Sequence, residues 1–264
     1  MHQICFYIGS RPIYWYGVMV ALGFLLATAH WSWLARRSRL PQGFGSNLAF
    51  FIMISGILGA RVAYVLANIP YFAKNPLHIF RVDEGGLVFY GGFFGALIAV
   101  IIMARVQKMP VWALGDLAIT GVPLGHALGR VGCFLNGCCY GIPTGCPLGV
   151  RYPAGSPPDL MHPGLHLHPV QLYETAGNLA LYSLLLWLYL RGRKNGTTVA
   201  LYFILYPLLR FGMEFFRGDE RLHGMGLTVA QLVSAIMLVA GIIIMILRYD
   251  KPGMAHAQAH GQPR

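Results

Sequence analysis

Seven apolar stretches constrain this chain more than any other feature. A hydrocarbon core of about 30 Å takes about 20 helical residues to cross, and the 264 residues hold seven such stretches with their loops. They lie near Ile13–Trp33, Asn47–Asn68, Leu87–Arg105, Trp112–Arg130, Leu172–Leu190, Thr198–Phe216 and Leu227–Leu247. With 56% hydrophobic and 11% charged residues and a mean hydropathy of +0.56, the composition excludes an ordinary water-soluble domain. The expected architecture is an all-α integral membrane protein of about seven transmembrane helices, with residues 1–248 as one polytopic domain. The tail 249–264, polar and proline-bearing, reads as a disordered cytoplasmic segment, and its His256 and His260 as incidental. No basic segment or small-residue cleavage site precedes the first span, so "MHQICFYIGSRPIYWYG" reads as retained rather than as a removable signal.

Orientation follows from the loops, because Lys and Arg are kept on the cytoplasmic side. With the N-terminus outside, the inner segments carry Arg36, Arg37, Arg39, Arg105, Lys108, Arg191, Arg193, Lys194, Arg248, Lys251 and Arg264. The outer segments carry fewer cations (Arg11, Lys74, Arg81, Arg130, Arg151, Arg217, Arg221) and most of the acids: Asp83, Glu84, Asp159, Asp219 and Glu220. The expectation is an outside N-terminus and a cytoplasmic C-terminus. Tyr14, Trp15 and Tyr16 then fall at the outer interface, and Trp31 and Trp33 at the inner one. The net charge of +11 is accounted for by orientation and anionic lipid, and no basic run with interleaved aromatics points to nucleic acid.

Residues 131–171 are rich in Gly and Pro and form a long outer loop, a length that is usually functional or disordered. Glycines at fourth positions, Gly121, Gly125 and Gly129, and the pair Gly91 and Gly95, mark close helix packing.

The informative residues are charges that a bilayer excludes. In "YPLLRFGMEFFRGDE", Tyr206, Arg210, Glu214 and Arg217 are spaced four, four and three, which makes one polar stripe on a helix. Ionisable groups within a span are functional candidates by default. An Arg210–Glu214 pair that merely holds helices together is the competing reading, but two arginines to one acid leave a cation for an anionic ligand. Arg61 and Tyr64 in "GARVAYVLAN", Tyr90 at the start of the third span and Arg130 at the end of the fourth add to this set. Taken alone, Arg61 reads equally well as a snorkelling residue. Together they describe a basic, tyrosine-lined cavity open to the outer leaflet, where a phospholipid phosphate is the obvious anion and Arg the side chain suited to it.

The motifs "WYG" (Trp15–Gly17), "GARVAYVL" (Gly59–Leu66), "GGLVFYGG" (Gly85–Gly92), "GRVGCFLNGCCYG" (Gly129–Gly141), "HPVQLYE" (His168–Glu174) and "RFGMEFFR" (Arg210–Arg217) occur in an order that resembles the prolipoprotein diacylglyceryl transferase family. The resemblance runs over residues 13–245. It implies an enzyme of the bacterial cytoplasmic membrane, facing the outer leaflet, that moves the diacylglyceryl group of phosphatidylglycerol to the lipobox cysteine thiol of preproteins. A thioether forms and glycerol phosphate is released. Its partners are then phosphatidylglycerol, lipobox-bearing preprolipoproteins and the bilayer, with no cofactor. By position, the resemblance assigns signature roles to Arg130, Asn136 and Gly141, polar-stripe roles to Arg210 and Glu214, and a head-group role to Tyr16; Tyr206, Arg61 and Arg217 complete the expected lipid site. Cys133 stands where the family commonly has Asn, Cys138 where it has Glu, and Tyr90 where many members have a histidine proposed as base.

The chemistry is consistent with these assignments. Breaking an alkyl C–O bond of a phosphodiester needs a thiolate at carbon and cations on the departing phosphate, so Arg130 and Arg210 are the expected phosphate clamps. Tyr90 is the candidate base, though a phenol of pKa about 10 is a weak one.

Two readings compete for the cysteines, a metal site and a disulfide centre. Cys133, Cys138, Cys139 and Cys146 lack a C-x-x-C pair, which argues against a metal. Outside the cytoplasm a disulfide is the natural expectation, with Cys138 or Cys139 bridging to Cys133 or Cys146 and Cys5 left over. His162, His166 and His168 read as solvated loop residues. The resemblance suggests that His168, with Gln171 and Glu174, caps the next span. His126 and Asp116 are left outside the site. Two other function classes fit less of the chain. A membrane thiol oxidoreductase leaves the arginine stripe unexplained, and a lipid transporter or scramblase has no use for the ordered motifs.

Overall fold

Helices occupy all seven apolar stretches. The computed structural model describes residues 3–81, 85–192, 194–219, 223, 224 and 226–248. The long helices are α1 (Trp15–Arg37), α2 (Phe44–Ala67), α4 (Phe89–Val106), α5 (Val111–Asn136), α7 (Val170–Leu190), α8 (Thr197–Glu214) and α9 (Val229–Arg248), with short α3 (Ile69–Lys74) and α6 (Pro157–Met161) between them. Five of them, α1, α2, α4, α5 and α9, are long and apolar enough to cross a membrane. The other two, α7 and α8, carry Gln171, Glu174 and Asn178 and Arg210 and Glu214, respectively. Large apolar side chains on the helix exteriors, among them Leu25, Leu58, Phe94, Ile102, Ile236 and Ile246, are more than half exposed. So much outward apolar surface suits a lipid solvent and would aggregate in water. The segments 249–264 and 82–84, and with them the tail, Asp83 and Glu84, lie outside the described residues, as do Arg193, Glu220 and Arg221.

The chain divides into two compact units, one of residues 28–118 and one of residues 1–27 with 119–264. In the first, α2 and α4 pack backbone to backbone. A Cβ at Gly59 would stand 2.3 Å from the Gly91 carbonyl oxygen, and one at Gly95 would stand 2.1 Å from that of Ser55. Only glycine permits this approach, as the sequence suggests for Gly91 and Gly95. The Trp31 indole is buried and donates to the Ala118 carbonyl at 3.0 Å, so it belongs to the core rather than to an interfacial belt.

In the second unit, β1 (Ile4–Ile8) and β2 (Arg11–Tyr14) form an antiparallel hairpin before α1, turning at Gly9 with φ 61°. Helices α7, α8 and α9 pack in sequence. A Cβ on Gly177 of α7 would sit 2.7 Å from Leu209 of α8, and one on Gly241 of α9 2.7 Å from the Phe203 backbone. The fourth-position glycines of α5 behave otherwise: a Cβ at Gly125 or Gly129 meets nothing within 4 Å. Periodicity marks these two, yet the approach to Gly125 comes from the other side: a Cβ at Gly23 of α1 would lie 3.3 Å from the Gly125 carbonyl oxygen and 3.5 Å from its α-carbon.

Helix α5 continues to Asn136, so the long loop starts later than expected and is well formed. It pairs β3 (Val150–Arg151) with β4 (His166–Leu167) and closes around Tyr140, Tyr152 and Leu167. Two backbone amides, of Gly164 and Gly155, donate to the Asp159 carboxylate and hold it below the usual carboxylate range.

Candidate functional site: a buried arginine–carboxylate cluster

Strand-like contacts after α5 set the frame of the site. The Gly141 N–H donates to the His168 carbonyl at 3.0 Å, Ile142 to that of Phe216 at 2.9 Å, and Gly218 to that of Tyr140 at 3.0 Å. A Cβ at Gly141 would lie 2.5 Å from the His168 oxygen and 2.7 Å from that of Phe216, so the position requires glycine. These bonds tie the end of the signature to the start of α7 and the end of α8. His168 takes part through its backbone. Its ring Nδ1 lies 3.2 Å from the Tyr173 hydroxyl, and no side chain caps α7, whose N-cap is Pro169.

Glu174, on the first turns of α7, is the hub. Its Oε2 pairs with Arg130 Nε at the end of α5, and its Oε1 with Arg210 NH1 of α8 at 3.4 Å and Arg217 NH1 at 3.9 Å. Arg210 NH1 also meets Glu214 Oε2 at 2.7 Å, one turn along the same helix. Arg217 lies beyond the end of α8, not on its stripe; a β-bridge to Gly141 brings it to the cluster, and Asp219 takes its Nε and NH2 at 2.8 and 2.7 Å. Glu174 and Glu214 are both almost fully buried. Three guanidinium groups thus face three carboxylates. The free cation inferred from two arginines and one acid disappears once Glu174 and Asp219 are included.

Donor use nevertheless separates the arginines. Arg217 spends Nε, NH1 and NH2 on carboxylates, and although burial lowers its guanidinium pKa, Cys139 and Asp219 beside it outweigh that and leave it raised. Arg130 engages Glu174 through Nε, and Arg210 engages its two acids through NH1, so each keeps N–H donors unspent among the described residues. A guanidinium anchored on one edge and open on the other is arranged to receive a phosphate.

The remaining expected residues fall around this centre or in the other unit. Tyr206 stacks on Tyr202 at 5.2 Å and lies 5.2 Å from the His126 ring. Tyr16 is about half exposed, and its backbone would lie 3.3 Å from a Cβ at Gly132. The Asn136 carbonyl accepts from Gln3 Nε2 at 3.0 Å. Arg61 and Tyr90 belong to residues 28–118. Arg61 is buried and spent on backbone, with Nε donating to Ile79 at 2.9 Å, NH1 to Gly85 at 2.7 Å, and NH2 to His78. Instead of presenting an open guanidinium to lipid, it clamps the segment that leads into α4, with its cation against the Tyr64 and Phe72 rings. Tyr90 is exposed on the first turn of α4, its ring edge-on to Phe89.

All five cysteines are thiols. The expected bridges are therefore not formed; instead the Sγ atoms of Cys133, Cys138 and Cys139 gather within 4.8 Å of one another. Hydrogen bonds from Cys133 and Cys138, with the Arg217 charge beside it, lower the Cys139 pKa.

These features define a class: a helical membrane protein whose interior holds arginines suited to an anionic group. The profile of the prolipoprotein diacylglyceryl transferase family matches residues 3–247, and the chain belongs to that family of enzymes. It is 34% identical to the phosphatidylglycerol–prolipoprotein diacylglyceryl transferase of Pasteurella multocida over 95% of this chain and 93% of the relative. The enzyme of the same name from Clostridium tetani is 34% identical over 92% of this chain and 96% of its own, and that of Pseudoalteromonas translucida 33% over 94% and 93%.

Proposed function

We propose that this chain transfers the diacylglyceryl group of phosphatidylglycerol to the thiol of a lipobox cysteine in a prolipoprotein, at the outer leaflet of the bacterial cytoplasmic membrane. The substrate sulfur forms a bond to the terminal glyceryl carbon. The bond from that carbon to the phosphate oxygen breaks, its electron pair leaves on glycerol phosphate, and the thiol proton passes to a base.

The observation that carries this reading is the pair of open guanidinium edges at Arg130 and Arg210, held in place by Glu174. Charge grows on the departing phosphate as the C–O bond lengthens, and donors fixed beforehand stabilise it without reorganisation. Glu174 orients both arginines, Glu214 fixes Arg210, and Arg217, its donors spent, positions the signature segment. Asn136, Gly141, Tyr16 and Tyr206 surround the head group. Arg61 acts on the fold of its own segment, and Tyr90 remains the candidate acceptor of the thiol proton.

Seven spans with the N-terminus outside place the basic inner segments, such as Arg36 and Arg37 at the end of α1, in the cytoplasm. Helices α7 and α8 count among the spans because their polar residues turn to each other and not to lipid.

Purified protein in phosphatidylglycerol vesicles, given a lipobox peptide, should yield the diacylglyceryl-thioether peptide and one glycerol phosphate per peptide modified. Lipid hydrolysis without thioether, or no product from phosphatidylglycerol, would overturn the assignment.

A further inference from the structure

The signature segment closes on three thiols for which the transfer reaction has no use. Cys133 lies on the last turn of α5, and Cys138 and Cys139 follow in the turn beyond it. The turn is built rather than loose. The Cys138 N–H donates to the Cys133 carbonyl at 3.1 Å, and Gln171 Nε2 donates to the Cys138 carbonyl at 2.8 Å. Gln171 is itself buried and accepts from the Tyr152 hydroxyl at 3.2 Å. Gly137 and Cys139 both take left-handed backbone, φ 75° and 67°. For a cysteine that conformation costs about 1–2 kcal/mol. The Sγ atoms of the adjacent Cys138 and Cys139 both lie within 4.8 Å of that of Cys133.

We propose that Cys133, Cys138 and Cys139 form a trithiolate site for a soft monovalent metal ion, copper(I). A metal–thiolate bond of about 2.3 Å puts three sulfurs about 4 Å apart around a trigonal ion. The three Sγ atoms already lie within 4.8 Å of one another, so closure needs only small side-chain rotations. Zinc calls for a fourth protein ligand or water, and no His, Asp or Glu atom joins the three thiols among the described residues. Soft thiolate ligands select copper(I). Binding releases the thiol protons to solvent and leaves the ion with its three thiolates at a net charge of minus two. The guanidinium of Arg217, bonded to Cys139, and that of Arg130, close enough to act on the same thiols, offset that charge.

The site lies beside the arginine cluster but its occupancy does not rest on the transfer reaction. Reduced full-length protein in detergent, titrated anaerobically with copper(I) against a chromophoric chelator such as bicinchoninate, should take up one equivalent. X-ray absorption at the copper edge should show three sulfur neighbours at about 2.3 Å. Cys139→Ser should weaken binding at least tenfold, while Cys5→Ser and Cys146→Ser should leave it unchanged. Copper left on the chelator, a two-sulfur linear site, or equal retention by Cys133→Ser, Cys138→Ser and Cys139→Ser would overturn the proposal. The absorption spectrum of the unaltered protein decides the matter even if a variant fails to fold.

Discussion

Glu174 is the residue on which the site turns, because three arginines share one buried carboxylate. Removing one partner of a buried pair leaves the others uncompensated, which typically costs about 3–5 kcal/mol. Glu174→Ala should therefore lower the thermal midpoint in detergent and abolish transfer, whereas Glu174→Gln, with the same shape, should lose transfer but less stability. Equal midpoints for the parent and the alanine variant would show that the cluster is solvated instead. Tyr90 tests the proton route separately: Tyr90→Phe should slow transfer with lipid affinity unchanged, and Tyr90→His should restore it. A fully active Tyr90→Phe would exclude the phenol. Arg130, Arg210 and Glu214 were legible in the sequence because charges inside apolar spans are conspicuous. In the sequence, Glu174 reads only as a cap. Its signal was present, since Gln171, Glu174 and Asn178 are spaced three and four, the same stripe that exposed Arg210, but it lies at a span end where acids are ordinary. The convergence of two stripes is a tertiary fact that one helix cannot display. Arg61 shows the converse: a buried arginine inside a span satisfies the sequence criterion for function, yet backbone carbonyls from Ile79 and Gly85 consume its donors.

Helix positions followed from hydropathy to within a few residues, because length and apolarity are local properties. What hydropathy could not give was which glycines face a neighbour. Gly95 and Gly125 look alike in sequence, both small residues on apolar helices. A would-be Cβ at Gly95 stands 2.1 Å from the Ser55 carbonyl oxygen, whereas one at Gly125 meets nothing within 4 Å. Gly95→Ala should thus destabilise the protein by about 1–3 kcal/mol through overpacking. Gly125→Ala, meeting nothing, should be neutral or stabilising by up to about 1 kcal/mol from helix propensity. Thermal midpoints of the two variants side by side check this, and similar losses in both would contradict the packing described for α2 and α4. The short strands were less accessible. The Ile4–Ile8 and Arg11–Tyr14 hairpin turns at Gly9–Ser10 just before the first apolar stretch, and strands of five and four residues are too short to show a clear two-residue period. The bridge that returns Arg217 to Gly141 joins residues far apart in the chain, and no local pattern announces it.

For the molecule as a whole, the account requires that the arginine cluster open toward the outer leaflet. A fluorescent protein that matures only in the cytoplasm, fused after Arg248, should therefore glow, and a periplasm-dependent phosphatase fused there should stay inactive. The reverse pattern would invert the topology and move the cluster to the wrong leaflet. The central claim is narrower: Arg130 and Arg210 hold the departing phosphate, and Arg61, also buried inside a span, holds the fold. Its most direct test is the initial rate of glycerol phosphate release at saturating phosphatidylglycerol and lipobox peptide for Arg130→Lys, Arg210→Lys and Arg61→Lys, each first shown to be folded. Lysine keeps the charge but not the two-pronged edge, and loss of one fixed donor to developing charge typically costs about 10²–10³ in rate. The account predicts losses of that order for Arg130→Lys and Arg210→Lys, and a rate within a few fold of the parent for Arg61→Lys. Near-parental rates in the first two, or an equally deep loss in the third, would contradict it.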